Sequence, residues 1–136
     1  MARFTDLEET RKYFSNDRFA TDNGMVIDDV SEEYAVCSVV LGPGHKNANG
    51  GIMGGVIFTL SDFAFAVLAN SIHLPTVAQQ VSVNFLSAPK GEKLIAKATC
   101  RRSGHSSTVI NVDVSDETGR DIAQFVGTGF KIYSGK

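Results

Sequence analysis

Asp62 is the only charged side chain between Lys46 and Lys90. It lies in the run from Gly54 to Asn70, which is apolar on nearly every side. A carboxylate is expensive to bury without partners. Asp62 is therefore paired, pointed into a cleft, or put to use. Gly54 and Gly55 precede it by about two turns, where a helix begins and its first backbone N–H groups lack internal partners. A carboxylate and an amide pocket at a helix N-terminus form a minimal kit for attack on a carbonyl. Asp62 would be general base or nucleophile, and the Gly54 N–H would polarise the carbonyl and hold the oxyanion.

The elements that must position these groups are readable from periodicity. Thr5 to Glu8 has the capping-box pattern and starts a short helix that ends near Phe14, with Leu7, Arg11 and Phe14 on one weakly packed face. Met25 to Val30 is extended. Tyr34 to Leu41 alternates with period two and reads as a strand closed by Gly42, Pro43 and Gly44. A loop rich in Gly and Asn, 45–51, leads to a central helix at about 54–71. Strands follow at 77–86, 92–102, 107–115 and 121–133, with turns at Pro89-Lys90-Gly91, Ser103-Gly104 and Asp116 to Gly119. Five or six largely antiparallel strands curling round one long apolar helix make an α+β layer arrangement. The outer sheet face and the strand edges then need cover, which predicts association into dimers.

Composition bounds the function classes. The 136 residues suit one domain over 1–136, and 43% hydrophobic content supports a real core. A net charge of −2 gives no basic field, so neither nucleic acid nor an anionic membrane is an expected partner. Cys37 and Cys100 have no metal-binding spacing and read as reduced core residues; no metal is expected. The N-terminus is charged early and has no apolar stretch of signal-peptide type, so a cytoplasmic location is expected. The segment 52–74 is long enough to span a bilayer, but Asp62 at its centre and the glycines at its start favour a buried core helix.

Around the loop and helix the chain resembles a family. Asn47, five residues, Met53-Gly54-Gly55 and then Asp62, seven residues after the second glycine, are similar to the motif of the PaaI-like (phenylacetate-degradation) acyl-CoA thioesterases of the hotdog fold. The resemblance runs from about residue 24 to 133. It includes the strand Val81 to Leu86 followed by Pro89, the Arg102-Ser103-Gly104 break and the closing strand through Gly127 and Gly129. It implies hydrolysis of an aryl or medium- to long-chain acyl-CoA to a carboxylate and coenzyme A. Coenzyme A is then part of the substrate, and no separate cofactor is implied.

The resemblance also implies roles for individual residues. Asn47 contacts the thioester or orients water. Gly55 leaves room for the acyl group. Gln79 or Gln80 holds the attacking water. Arg101 and Arg102, with Gly104 at the break, meet the nucleotide end of coenzyme A, since Arg suits phosphate. The site would form between subunits of a homodimer, or of a tetramer built as a dimer of dimers, with Asp62 of one facing Asn47 and Gly54 of the other.

Met53 departs from the pattern. It stands where the family usually has a His, and it neither titrates nor donates a hydrogen bond. Two other readings follow. One is a hotdog dehydratase using His45; there His45 is one residue out of register and the expected acid position is Leu60. The other is an acyl-CoA-binding domain without catalysis, which the loss of the motif His favours and the retention of Asp62 opposes.

Overall fold

The computed structural model describes residues 2–133. Two short helices, α1 (Leu7–Phe14) and α2 (Arg18–Asp22), precede strands β1 (Val26–Val30) and β2 (Tyr34–Val40). A 3-10 turn at Pro43–His45 and a loop lead into α3 (Gly54–Ile72). Four strands complete the chain: β3 (Thr76–Phe85), β4 (Lys93–Ser103), β5 (Ser107–Asp116) and β6 (Asp121–Lys131). All pairings are antiparallel and join the six strands in the order β1-β2-β4-β5-β6-β3. The sheet wraps α3, which packs mainly on β2, β4 and β5. This is the hotdog arrangement, as expected.

The core follows the alternation in the strands. Leu94, Ala96 and Ala98 of β4 and Ile110, Val112 and Val114 of β5 all point inward onto α3, whose Leu60 and Leu68 are fully buried. The helix sits close to β6 because two glycines let it. A Cβ on Gly127 would stand 2.8 Å from a Phe65 ring carbon, and one on Gly129 would stand 2.7 Å from the Thr76 methyl. Phe65 thus rests on bare backbone, which fixes the height of α3 above the sheet.

Several local expectations are corrected. The cap of α1 is Asp6, whose Oδ2 accepts from Glu9 N–H at 2.9 Å, one residue after Thr5. Phe14 is more than peripheral: it lies in the core between Phe4 and Phe63. Cys37 is fully buried, but Cys100 is only partly so, because β4 bulges between Cys100 and Arg102 and breaks the alternation. The helix α2 had no periodic signal to announce it; five residues are too few.

Candidate active site

Asp62 projects from the face of α3 that α2 overlies. It borders a cavity of about 260 Å3 with Asp17, Arg18, Phe19, Ala20, Thr59 and Phe63. Other polar groups of the helix turn back on it: Ser61 Oγ donates to Ile57 O and Asn70 Nδ2 to Ala66 O. Among the described residues the Asp62 carboxylate has no such partner and no ion pair. Burial raises its pKa above the ordinary 3.8, and the negative charge of Asp17 raises it further. Arg18 does not relieve this, because its guanidinium is engaged with Asp22 at 3.2 Å.

Gly54 is the first residue of α3. Its N-cap, Met53, offers no side-chain acceptor. The Met53 backbone is occupied, its N–H by His45 O at 2.9 Å and its carbonyl by Val56 N–H at 3.0 Å. No acceptor among the described residues takes the Gly54 N–H, which carries the positive end of the helix dipole. Gly54 borders a cavity of about 370 Å3, together with Asn47, Phe85 and the segment Leu86 to Pro89. A Cβ on Gly54 would meet the Phe85 ring at 3.4 Å, so the glycine keeps that cavity open.

Asn47 shares this cavity and has a structural task as well. Its Oδ1 accepts from Asn49 N–H at 2.9 Å and Gly51 N–H at 3.1 Å, closing the loop before α3. Its Nδ2 has no acceptor among the described residues, so the loop holds a rigid amide donor beside Gly54. Asn47 and Gly54 therefore come together within one chain. Asp62 does not join them, and its cavity shares no residue with theirs.

The other expected site residues are dispersed. Met53 is 55% exposed and lines a third cavity, of about 190 Å3, with Gly55, Val56, Thr59, Phe19 and Met25. Gln79 sits in a bulge of the exposed edge strand β3, and Gln80 beside it makes only long contacts of 3.4 Å to Val81 O and Ser82 Oγ. Arg101 and Arg102 are exposed at the far end of β4 from the turn that holds Pro89, about 33 Å along the strand. Both backbone groups of Gly104 are used, the N–H by Ser107 O at 2.7 Å and the carbonyl by His73 Nε2 at 2.8 Å. His45 Nδ1 accepts from Gly42 N–H at 2.9 Å, so Nε2 carries the proton and donates to Asn23 O at 2.8 Å. With both ring nitrogens occupied, His45 is a brace between loop and α2.

Sequence reasoning missed Asp17, Phe19 and Thr59, which wall the Asp62 cavity. Thr59 was the legible one, one turn before Asp62 on the same helix face. It also missed Asp116, whose carboxylate accepts from Lys90, Gly91, Thr118 and Arg120 N–H and from the Thr118 hydroxyl. Asp116 thereby fastens the β5–β6 hairpin to the Pro89 turn that walls the Gly54 cavity. These bonds, the Thr118 hydroxyl foremost, hold its pKa well below the ordinary 3.8.

Comparison with known proteins agrees with this architecture. The profile of the Thioesterase superfamily matches residues 49–123, more than half of the chain. A putative esterase of Archaeoglobus fulgidus is 30% identical over 128 residues, covering 93% of this chain and 83% of the relative. The acyl-coenzyme A thioesterase PaaI of Escherichia coli is 29% identical over 120 residues, covering 88% and 86%. The structure of E. coli PaaI superposes with a TM-score of 0.85 at 26% identity, covering 95% of this chain and 98% of that one. A hypothetical thioesterase of Streptococcus pneumoniae, solved with coenzyme A, gives 0.81 at 25% identity, covering 90% and 99%. The chain belongs to the Thioesterase superfamily, as a PaaI-like thioester hydrolase of the hotdog fold.

Proposed function

We propose that this protein hydrolyses acyl-CoA thioesters, with the reacting carbonyl held between Asp62 of one subunit and Gly54 and Asn47 of another. The acyl group is aryl or a medium to long aliphatic chain. The Gly54 N–H stabilises the oxyanion and the Asn47 amide holds the thioester oxygen or the water. Asp62 takes the proton of the attacking water; the tetrahedral intermediate then expels the thiolate, breaking the C–S bond, and the thiolate is protonated to coenzyme A. In the nucleophilic variant, Asp62 attacks the carbonyl and expels the coenzyme A thiolate to form an acyl anhydride, which water opens to the product carboxylate and free Asp62. Gln79 or Gln80 holds the water, and Arg101 and Arg102, both exposed, supply cations for the nucleotide phosphates.

The observation that carries this reading is the separation of two unsatisfied groups. Among the described residues Asp62 lacks a partner, and the Gly54 N–H lacks an acceptor. They lie about 12 Å apart along one helix, so a second copy must bring them to one carbonyl. The means of pairing is present: β3 is a ten-residue edge strand with no charge and no proline, exposing Val77 and Phe85. Such an edge is a template for a second strand. A homodimer formed there, alone or doubled into a tetramer, supports the shared site. The relatives favour the substrate class, since the PaaI relative is named an acyl-coenzyme A thioesterase and the S. pneumoniae structure contains coenzyme A.

Thiol release from an acyl-CoA panel tests the proposal. Asp62→Ala and Asp62→Asn should lose at least about 100-fold in rate while remaining folded. Wild-type-like turnover by Asp62→Ala refutes the assignment. Met53 favours a second reading, binding without catalysis; tight acyl-CoA binding with no turnover on any chain establishes that instead. The dehydratase reading is disfavoured by the double engagement of the His45 ring.

A further inference from the structure

Phe19 is 73% exposed, the most exposed large apolar side chain among the described residues. It stands on α2, a single short turn without a side-chain cap. Its position is the informative part. Phe19 and Thr59 are the two residues that border both the Asp62 cavity and the neighbouring cavity lined by Met53 and Val56. The two hollows, about 260 and 190 Å3, therefore adjoin at Phe19 and Thr59 along the groove between α2 and α3. Its remaining walls include Ala20, Phe63, Met25, Val56 and Met53, and its charges are confined to Asp17, Arg18 and Asp62 at one end. A ligand that covers Phe19 recovers the cost of exposing a phenyl ring to water.

We propose that Phe19 is the specificity-determining residue for the acyl group, its ring covering the apolar acyl substituent in the groove between α2 and α3. The inference rests on the reading of Asp62 as the group that works on the thioester. That reading puts the carbonyl carbon beside Asp62. The substituent on that carbon enters the groove that begins there. Met53 fits the same assignment, since a thioether adds apolar wall where a His would add a charge or a dipole.

Two measurements separate this inference from the reading beneath it. The first needs no turnover: calorimetric binding of S-hexyl-CoA, a thioether the enzyme cannot hydrolyse, against free coenzyme A. Wild type should bind S-hexyl-CoA at least about tenfold tighter than coenzyme A, and Phe19→Ala should erase about tenfold of that preference. Its affinity for free coenzyme A should stay within about twofold. The second is kcat/KM across acetyl- to dodecanoyl-CoA and benzoyl-CoA. Phe19→Ala should flatten the profile, and Phe19→Trp should shift it to shorter chains. Phe19 is exposed, so both variants should keep the circular dichroism and Tm of wild type.

Equal loss for S-hexyl-CoA and coenzyme A, or no loss for either, overturns the proposal. So does a change of oligomeric state in Phe19→Ala, which makes the ring a contact between copies. Full activity in Asp62→Ala sinks the catalytic reading instead, and the thioether binding then decides Phe19 on its own.

Discussion

Gly54 and Asp62 lie two turns apart on α3, about 12 Å along its axis, and open into cavities that share no residue. The donor and the base of the proposed reaction are therefore rigidly held, by one helix, at a spacing too wide for one carbonyl. A site shared between subunits has a signature. Asp62→Asn and Gly54→Pro should each be inactive alone, yet co-expressed they should recover about a quarter of wild-type activity. Half of a random mixture is then heterodimer, with one of its two sites intact. No recovery in verified heterodimers refutes the shared site.

Gly54→Pro is itself a sharp test of the oxyanion donor. Proline is favoured at the first position of a helix and removes an N–H that has no partner among the described residues; its ring also meets Phe85, so Gly54→Ala, which adds a Cβ and keeps the N–H, is the steric control. Met53 is already extended, with φ −64° and ψ 133°, as a residue before proline must be. The variant should melt within a few degrees of wild type and lose about 100- to 1,000-fold in kcat. Retained kcat would remove Gly54 from the mechanism.

The acid limb of kcat/KM should invert above the ordinary aspartate value of 3.8, because burial and then Asp17 raise the Asp62 pKa. Asp17 and Arg18 are the charged groups that border the cavity with Asp62, and Arg18 is tied to Asp22. Asp17→Asn should accordingly move the inflection to lower pH and leave the plateau rate within about threefold. A pH profile that does not move excludes the coupling.

The same shift makes Asp62 a burden on stability. A carboxyl whose pKa is raised in the folded state holds its proton more tightly there. Stability then falls as pH rises from the unfolded value, near 3.9, through the folded one. Asp62→Asn should therefore raise Tm by a few degrees at pH 7, with the gain vanishing below about pH 4. Thermal melts at pH 3.5 and 7 check this; a lower Tm at pH 7 contradicts it.

Asp116 acts with the opposite sign. Its pKa is lowered, so its stabilisation is complete above the unfolded value and is lost as pH falls toward the folded one. Asp116→Ala leaves the partly buried Lys90 and Gly91 N–H groups at the Pro89 turn without an acceptor. It should lower Tm by about 5 °C or more at pH 7 and by less at pH 3. Since that turn walls the Gly54 cavity, KM should rise as well. A Tm unchanged at pH 7 would show the turn to be held otherwise.

Much of this was legible in particular residues. Alternation in β4 and β5 named the inward positions, and an isolated Asp62 two turns after paired glycines suggested the chemistry proposed above. The role proposed for Asn47 and the expected positions of Arg101, Arg102 and Gly104 came from the family resemblance. What was not legible came from chain crossings. Asp17 and Phe19, more than forty residues before Asp62 in the sequence, share a cavity with it only because α2 folds over α3. Asp116 reads as a turn residue until the Pro89 segment is seen to lie against it.

Sequence alone determined the elements, because hydrophobic periodicity records which face of each strand and helix leaves water. It also determined that the carboxylate and the helix amide exist at a set spacing. Tertiary structure decided that they cannot meet within one chain, since a helix is rigid and its rise per residue keeps them apart. It decided, too, that an uncharged edge strand remains exposed and that the exposed Phe19 borders the Asp62 cavity. Those are properties of surfaces brought together by folding, and no local pattern of residues encodes them.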